Sequence, residues 1–232
     1  MADFEIINGV AIIPEGTTEI GEDAFCDCKT LKSVIIPNSV TKIGEFAFEG
    51  CEALENVIIP NSVTEIEWGT FKGCTNLTSI TIPNSVKEIG EDAFWGCTNL
   101  TSITISNSVT DIGREAFYKC SGLTSITIPK SVTMIRSGGF KYCTALTEIK
   151  VAEDNSVYDS REGCNAIIET ATNTLIAGCK STIIPISVTD IGWGAFSCCT
   201  SLTKITIPNS VTEIEWEAAA FLTGSRSGGF SS

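Results

Sequence analysis

The chain has 232 residues, 28 of them acidic and 15 basic, for a net charge of −13 and a pI near 4.4. Phosphate backbones and anionic lipid surfaces need a basic face, so this charge argues against nucleic acid and electrostatic membrane docking. At 43% hydrophobic and 19% charged the composition is that of a folded chain, long enough for a sizeable core.

The acid is uneven. Residues 1–100 hold 16 Asp/Glu against 5 Lys/Arg, and the remainder 12 against 10. This reads first as a solvated face that keeps the chain soluble, and second as a surface for cations or basic partners. The opening MADFEIINGVAIIP has neither a basic stretch nor a long apolar run, so no signal peptide is expected. No apolar run approaches the ~20 residues of a membrane span. A cytoplasmic chain, or a piece of an exported one, fits these features.

From residue 25 onward the chain repeats itself. Phe25, Phe48, Phe71, Phe94, Phe117 and Phe140 keep one spacing, as do Cys28, Cys51, Cys74, Cys97, Cys120 and Cys143, and Leu31, Leu54, Leu77, Leu100, Leu123 and Leu146. The pattern returns at Phe196, Cys199 and Leu202. Within a unit, Leu77–Ile82 alternates apolar and polar residues, so a strand is predicted with Ile80 and Ile82 inward and Ser79 and Thr81 outward. Pro83-Asn84-Ser85 ends it. A second short extended piece follows, and Gly90 permits a bend. Glu91–Cys97 is expected to form one short helical turn with acids at its N-terminus. One such unit cannot bury its own Leu, Ile, Val and Phe, whereas stacked units cover one another.

Between Cys143 and Cys199 the repeat is interrupted. Strands are expected at residues 165–169 and 174–177, with 170–173 as their turn. Elsewhere Ser106 stands where Pro is expected, Cys179 where Leu is, and Ala219 where Phe is. The end, GSRSGGFSS, reads as a flexible Gly/Ser/Arg tail over 221–232. The pentapeptide Arg-Ser-Gly-Gly-Phe occurs at 136–140 and at 226–230, and nothing in the sequence explains it. The last coil is expected to be poorly capped, which would leave an edge open to dimerisation, aggregation or a further C-terminal continuation.

The unit L-x-x-I-x-I-P-x-S-V-x-x-I-G-x-x-A-F-x-x-C resembles the BspA-like, or Treponema pallidum-type, leucine-rich repeats, over roughly residues 8–220. The interruption, from Asn155 to Ile176, is similar to a hairpin insert in such proteins. The resemblance implies a right-handed leucine-rich-repeat solenoid, mainly β with short helical turns. It would have eight or nine 23-residue coils over residues 1–220, with one β-hairpin insert at 151–178. It also implies a cell-surface or secreted protein that adheres to host proteins, other cells or matrix.

Chemistry is sparse. The chain has no histidine, which removes the commonest general base and most zinc sites. No phosphate loop of standard spacing occurs. The carboxylate pair Glu91-Asp92 recurs as Glu22-Asp23, so it belongs to the repeat. Neither enzyme activity, nor a cofactor, nor a metal is expected. The 11 cysteines admit a disulfide ladder, a metal site at Cys26-x-Cys28 or a redox pair at Cys198-Cys199. The favoured reading is a ladder of buried free thiols acting as small hydrophobes.

Recognition is expected where exposed positions break the pattern. One turn column reads Glu22, Glu45, Trp68, Glu91, Arg114, Ser137, Trp193, Trp216, and the column after Phe reads Cys26, Glu49, Lys72, Trp95, Tyr118, Lys141, Ser197. Trp68, Trp95, Tyr118, Trp193, Trp216, Arg114 and Phe46 are therefore the candidate partner-binding residues, for a protein or glycan. Trp95 with Tyr118, and Trp193 with Trp216, are expected to stack across adjacent coils. The competing reading is that these rings fold back as packing. Ser79/Thr81, Ser102/Thr104 and Ser125/Thr127 form a polar strand face. Ice binding on that face is disfavoured, because only three consecutive coils keep the pair. A binding module is thus the leading expectation, and a self-assembling structural element the alternative.

Overall fold

The computed structural model describes residues 4–199, 202, 205–215 and 218. It is a solenoid of about nine coils. Trp216 and the 221–232 tail lie outside the described residues. So does the second Arg-Ser-Gly-Gly-Phe, together with most of the last coil's turn.

Each of the first six coils contributes two short strands that pair in parallel with those of a neighbouring coil. On the first face Val10–Ile12 pairs with Ser33–Ile35, and that strand with Asn56–Val57. Ser79–Thr81 lies in register with Ser102–Thr104, and Ser125–Ile128 with Glu148–Val151. On the second face Glu65–Ile66, Glu88–Ile89, Asp111–Ile112 and Met134–Ile135 form one ladder. As expected from the alternation, Ile80 and Ile82 are buried while Ser79 and Thr81 are exposed.

The expected helical turns are not there. Among the described residues the helical element is one 3-10 turn, Arg161–Gly163, in the insert. The segment after each second strand is instead a run of tight turns. Its alternate N–H groups leave the coil: those of Asp92, Phe94 and Gly96 donate to the carbonyls of Arg114, Ala116 and Tyr118, at 3.0, 2.8 and 2.7 Å. A helix would return those donors to its own preceding turn. Left-handed residues, such as Asp92 at φ 53° and Gly96 at φ 73°, break that pattern and aim the donors at the next coil. The acids therefore meet no helix dipole.

The core follows the repeat. Phe25, Phe48, Phe71, Phe94 and Phe117 are buried and stack in one column that ends at Phe140, with centroids 5.2–5.5 Å apart and planes within 9°. Each buried ring contributes about 1.5–3 kcal/mol by burial, and each ring pair about 0.5–1.5 kcal/mol more. The cysteine column lies beside it with every thiol free. Cys74 Sγ donates to the Phe48 carbonyl at 3.1 Å and Cys97 Sγ to that of Phe71 at 3.2 Å. Burial pushes the thiols of Cys51 and Cys97 up to about 12. Ser106, in the place of Pro, donates its hydroxyl to the Pro83 carbonyl at 3.0 Å and so holds the turn.

The N-terminal end carries a cap that the repeat pattern does not announce. Ile6–Ile7 folds antiparallel onto Val10–Ile12 through Asn8-Gly9, both at positive φ, 53° and 83°. This is a two-residue hairpin turn that Asn-Gly favours. Phe4 lies on Phe25 at 5.4 Å and closes that end of the column.

The insert has strands Ala166–Glu169 and Thr174–Gly178, antiparallel to each other, within a residue of the expected bounds. Its second strand takes the place of the preceding coil: Thr174 and Leu175 pair with Asp190 and Ile191, a strand that Met134–Ile135 would otherwise reach. Asn155 anchors the entry, its Nδ2 donating to the carbonyls of Pro129 and Val132 at 2.8 and 2.9 Å. The hydroxyl of Tyr158 accepts the N–H of Ile135 at 3.0 Å and covers the edge of that ladder. Arg161 fastens the exit. It pairs with Asp159 at 2.8 Å and donates to Asn173 Oδ1 and Ser187 Oγ at 2.9 and 3.2 Å.

Candidate binding surface

The turns carry a continuous strip of rings. Trp95 and Tyr118 stack at 5.7 Å with planes 6° apart, as one-coil spacing requires. Tyr142 meets Tyr118 edge-on at 5.1 Å, and Phe46 meets Trp68 at 4.8 Å. Lys72 joins the two groups, its ammonium 5.8 Å from the Phe46 centroid and 5.6 Å from that of Trp95. Lys119 lies 5.1 Å from the Trp95 ring and 5.5 Å from Tyr118. Five aromatics and two lysines thus follow one another across five coils.

The turn conformation makes this possible. Phe46 takes a left-handed φ of 54°, which tips its ring over the next coil toward Trp68. The residue beneath that ring is Gly69, where an added Cβ would sit 2.4 Å from two ring carbons. Tyr142, two residues after Phe140, is also left-handed, at φ 60°, and its ring meets Tyr118 of the preceding coil.

Exposure separates the two readings of these rings. Trp68 is 45% exposed and Tyr142 39%, while Phe46, Trp95 and Tyr118 are half-buried, Phe46 against Trp68 and the other two against each other. They serve as mutual packing and as surface at once. Acids rim the strip: Lys72 pairs with Glu49 at 3.4 Å and Asp92 at 3.9 Å. Burial raises the Asp92 carboxyl against the pull of Lys72 and a hydrogen bond from Trp68. Arg114 is exposed and spans Glu91 and Glu115, each at 3.7 Å, so its charge is taken up by neighbours. Trp193 stands apart from the strip, with the Lys141 ammonium 3.0 Å over its ring. Its expected partner Trp216 is outside the described residues.

A second exposed feature has no counterpart among the sequence expectations. In the strand column that reads Thr81, Thr104 and Thr127, the first three coils place Ile12, Ile35 and Ile58, which are 64%, 56% and 83% exposed. Ile7 on the cap hairpin adds to them at 57%. The Thr array is therefore three rungs of a mixed column, too short for an ordered polar lattice. Among the described residues no group of three or more His, Cys, Asp or Glu is placed to hold a metal ion. Among them, too, no helix is long and apolar enough to cross a membrane.

Parallel coils with columns of Leu, Ile, Phe and Cys define a leucine-rich-repeat solenoid. The sequence model of the BspA type leucine rich repeat region matches six copies, over residues 9–94, 67–173 and 176–223, and the chain belongs to this family. A leucine rich cell surface protein from Faecalibacterium prausnitzii is 29% identical, over 90% of this chain and 65% of its own, with a TM-score of 0.69. A leucine-rich repeat protein from Eubacterium ventriosum is 25% identical, over 89% of this chain and 49% of its own, at TM-score 0.57. The pneumococcal vaccine antigen PcpA, 24% identical over 86% of this chain and 60% of its own, shares the fold at TM-score 0.71. The chain thus spans about half to two thirds of these proteins. A search of curated proteins finds no match.

Proposed function

We propose that this chain is a non-enzymatic binding module of a cell-surface or secreted protein, and that it holds a protein or glycan ligand on the aromatic strip of its turns. The strip itself carries the reading. Five rings and two lysines in contact across successive coils form a rigid, partly exposed surface, and little side-chain entropy is lost when a partner covers it. Lys72 and Lys119 keep the rings in place through cation–π contacts. The surface setting rests on the family and on the Faecalibacterium relative, which is a cell surface protein.

The test is a screen of the chain against immobilised matrix proteins and glycans, beside a Trp68→Ala/Trp95→Ala/Tyr118→Ala variant. Binding by the native chain that the folded variant loses supports the strip. Binding that survives the triple change sinks it. The exposed Ile12, Ile35 and Ile58 favour a second reading, a protein partner laid across the strand face of the first coils. Ile12→Thr/Ile35→Thr/Ile58→Thr copies the residue of later coils at that column, so it changes the face without disturbing the strand. Loss of binding in that variant alone would move the site there. Self-association through the C-terminal coil involves residues outside the described ones. Light scattering over a concentration series separates it from ligand binding.

A further inference from the structure

Five successive coils treat the same three N–H groups alike. Those of Asp23, Phe25 and Asp27 donate to Glu45, Ala47 and Glu49, and so on up to Glu115, Phe117 and Lys119, which donate to Ser137, Gly139 and Lys141. The next set is Gly138, Phe140 and Tyr142. Among the described residues none accepts their N–H groups. The hairpin explains why. The coil spacing would offer Phe140 the carbonyl of Ala195, but Gly178 of the insert donates to that oxygen instead, at 2.8 Å. Phe196 leaves the Phe column for the same reason, lying so close to Gly178 that a Cβ there would sit 2.4 Å from its ring.

A cavity of about 340 Å³ opens at this seam. Gly138, Gly139 and Phe140 form one wall, and Trp193, Gly194 and Ala195 the other. Ile176 and the Trp193 ring supply apolar surface, and Lys141 and Arg136 bring positive charge to the same space. The first Arg-Ser-Gly-Gly-Phe is the segment that builds the donor wall. Gly138 needs its φ of 75°, and Gly194, at φ 65°, leaves room for the Lys141 side chain, whose Cε a Cβ would meet at 2.0 Å.

We propose that this seam is a binding site for a small organic carboxylate with an apolar body, its oxygens taken by the N–H groups of Gly138 and Phe140 and its body laid on Trp193. Buried backbone donors strongly favour an acceptor, and a wall that presents N–H groups beside cations selects an anionic one. An aromatic and aliphatic surface opposite favours a carboxylate with a hydrocarbon part over an inorganic ion. Glu169 and Glu215 also border the space; Glu215 Oε2 already accepts the N–H of Trp193 at 3.0 Å. These two acids would repel a second negative charge and tolerate an ammonium, so the ligand is a monocarboxylate. Its source is either a free amino acid or the carboxyl end of a peptide.

Amide NMR of the whole chain tests this with three probes: N-acetylphenylalanine, phenylalanine and N-acetylphenylalaninamide. The two acids should move the Gly138, Phe140 and Tyr142 amide resonances and leave that of Phe94 in place. The carboxamide should move none of them. Binding of phenylalanine alone assigns the free amino acid as source, and preference for the acetylated acid assigns a peptide end. Trp193→Ala should weaken either acid about tenfold. Equal binding of acid and carboxamide overturns the proposal, as does no shift at millimolar probe. Hydrogen exchange gives a check that needs no variant. If the amides of Gly138, Phe140 and Tyr142 exchange as slowly as those of Asp92, Phe94 and Gly96, the seam is closed in solution and the site does not exist.

Discussion

Two glycines of the turns, Gly69 and Gly96, allow the aromatic strip to be weighed. Both are left-handed, at φ 60° and 73°. Both columns elsewhere accept side chains in that conformation, Phe46 and Asp92 in one, Asp27 and Tyr142 in the other. Backbone strain on Gly→Ala is therefore comparable at the two sites, about 1 kcal/mol. Space is not. The new methyl of Gly96→Ala would find its nearest neighbour at 3.9 Å, whereas that of Gly69→Ala would lie 2.4 Å from two carbons of the Phe46 ring. The ring must swing away from Trp68. That loses an aromatic pair worth about 0.5–1.5 kcal/mol and forces a poorer rotamer at about 0.5–1.5 kcal/mol. Gly69→Ala should thus cost about 1–3 kcal/mol more than Gly96→Ala in urea unfolding, and it should alter the environment of Trp68. Both variants should be compared in the binding screen, where only Gly69→Ala should weaken a ligand of the strip. Equal stabilities for the two variants would show that Phe46 does not rest on Trp68 in solution, and the strip would lose its N-terminal half.

The buried thiols predict a pH dependence. Burial raises Cys97 from 9.0 to about 12, so the folded state keeps a proton that the unfolded state releases. The stabilisation is complete below pH 9 and is lost as pH rises towards 12, at about 1.4 kcal/mol per pH unit for such a group. Between pH 8 and pH 10.5 the native chain should lose about 2 kcal/mol more than Cys97→Ala. Parallel loss in the two proteins would refute a buried protonated thiol. At the insert, Arg161→Ala removes the pair with Asp159 and the bonds to Asn173 and Ser187. It should speed hydrogen exchange in the hairpin and cost about 1.5–3 kcal/mol, with Arg161→Lys recovering only part. An Arg161→Ala hairpin that exchanges as slowly as the native one would show that the strand pairing alone holds it.

The coil repeat is legible in the sequence because each inward column has one chemical demand. Phe, Cys and Leu recur where a ring, a small donor and a branched side chain fill the same volume in every coil, and stacking follows from spacing alone. Trp95 and Tyr118 share a column, so the one-coil step is enough to predict their contact. The hairpin is legible from turn residues between two apolar runs. The turn segment misleads because acids ahead of Ala-Phe look like a helix start. What decides that segment is a competing acceptor in the next coil, which no single unit displays. Phe46 on Trp68, and Tyr142 on Tyr118, join different columns, and the left-handed turn geometry that brings them together has no signature in side-chain spacing. Ile12, Ile35 and Ile58 are plain in the sequence, but a consensus drawn from the Thr-bearing coils conceals its own exceptions. Asn8-Gly9 is a hairpin signal of the strongest kind, yet it precedes the first full unit and so falls outside the repeat pattern.

Perfect repetition is poor at making a site. When every coil satisfies the next, no donor is left over and no concavity opens, so the regular stretch from Phe48 to Phe117 offers a partner only what its exposed columns happen to carry. Both proposed sites lie where the repeat departs from itself. On the turns the departure is compositional: aromatics replace acids in columns whose backbone is unchanged, and the scaffold's one-coil spacing then holds them in contact with no further ordering required. At the insert the departure is topological. A strand from the hairpin takes the pairing partner of the next coil, and three backbone donors that five earlier coils commit to stability become available to something else. The first kind of site can drift residue by residue while the fold stays intact. The second is tied to the insert, since the hairpin's Gly178 holds the Ala195 carbonyl that the coil spacing would otherwise offer to Phe140.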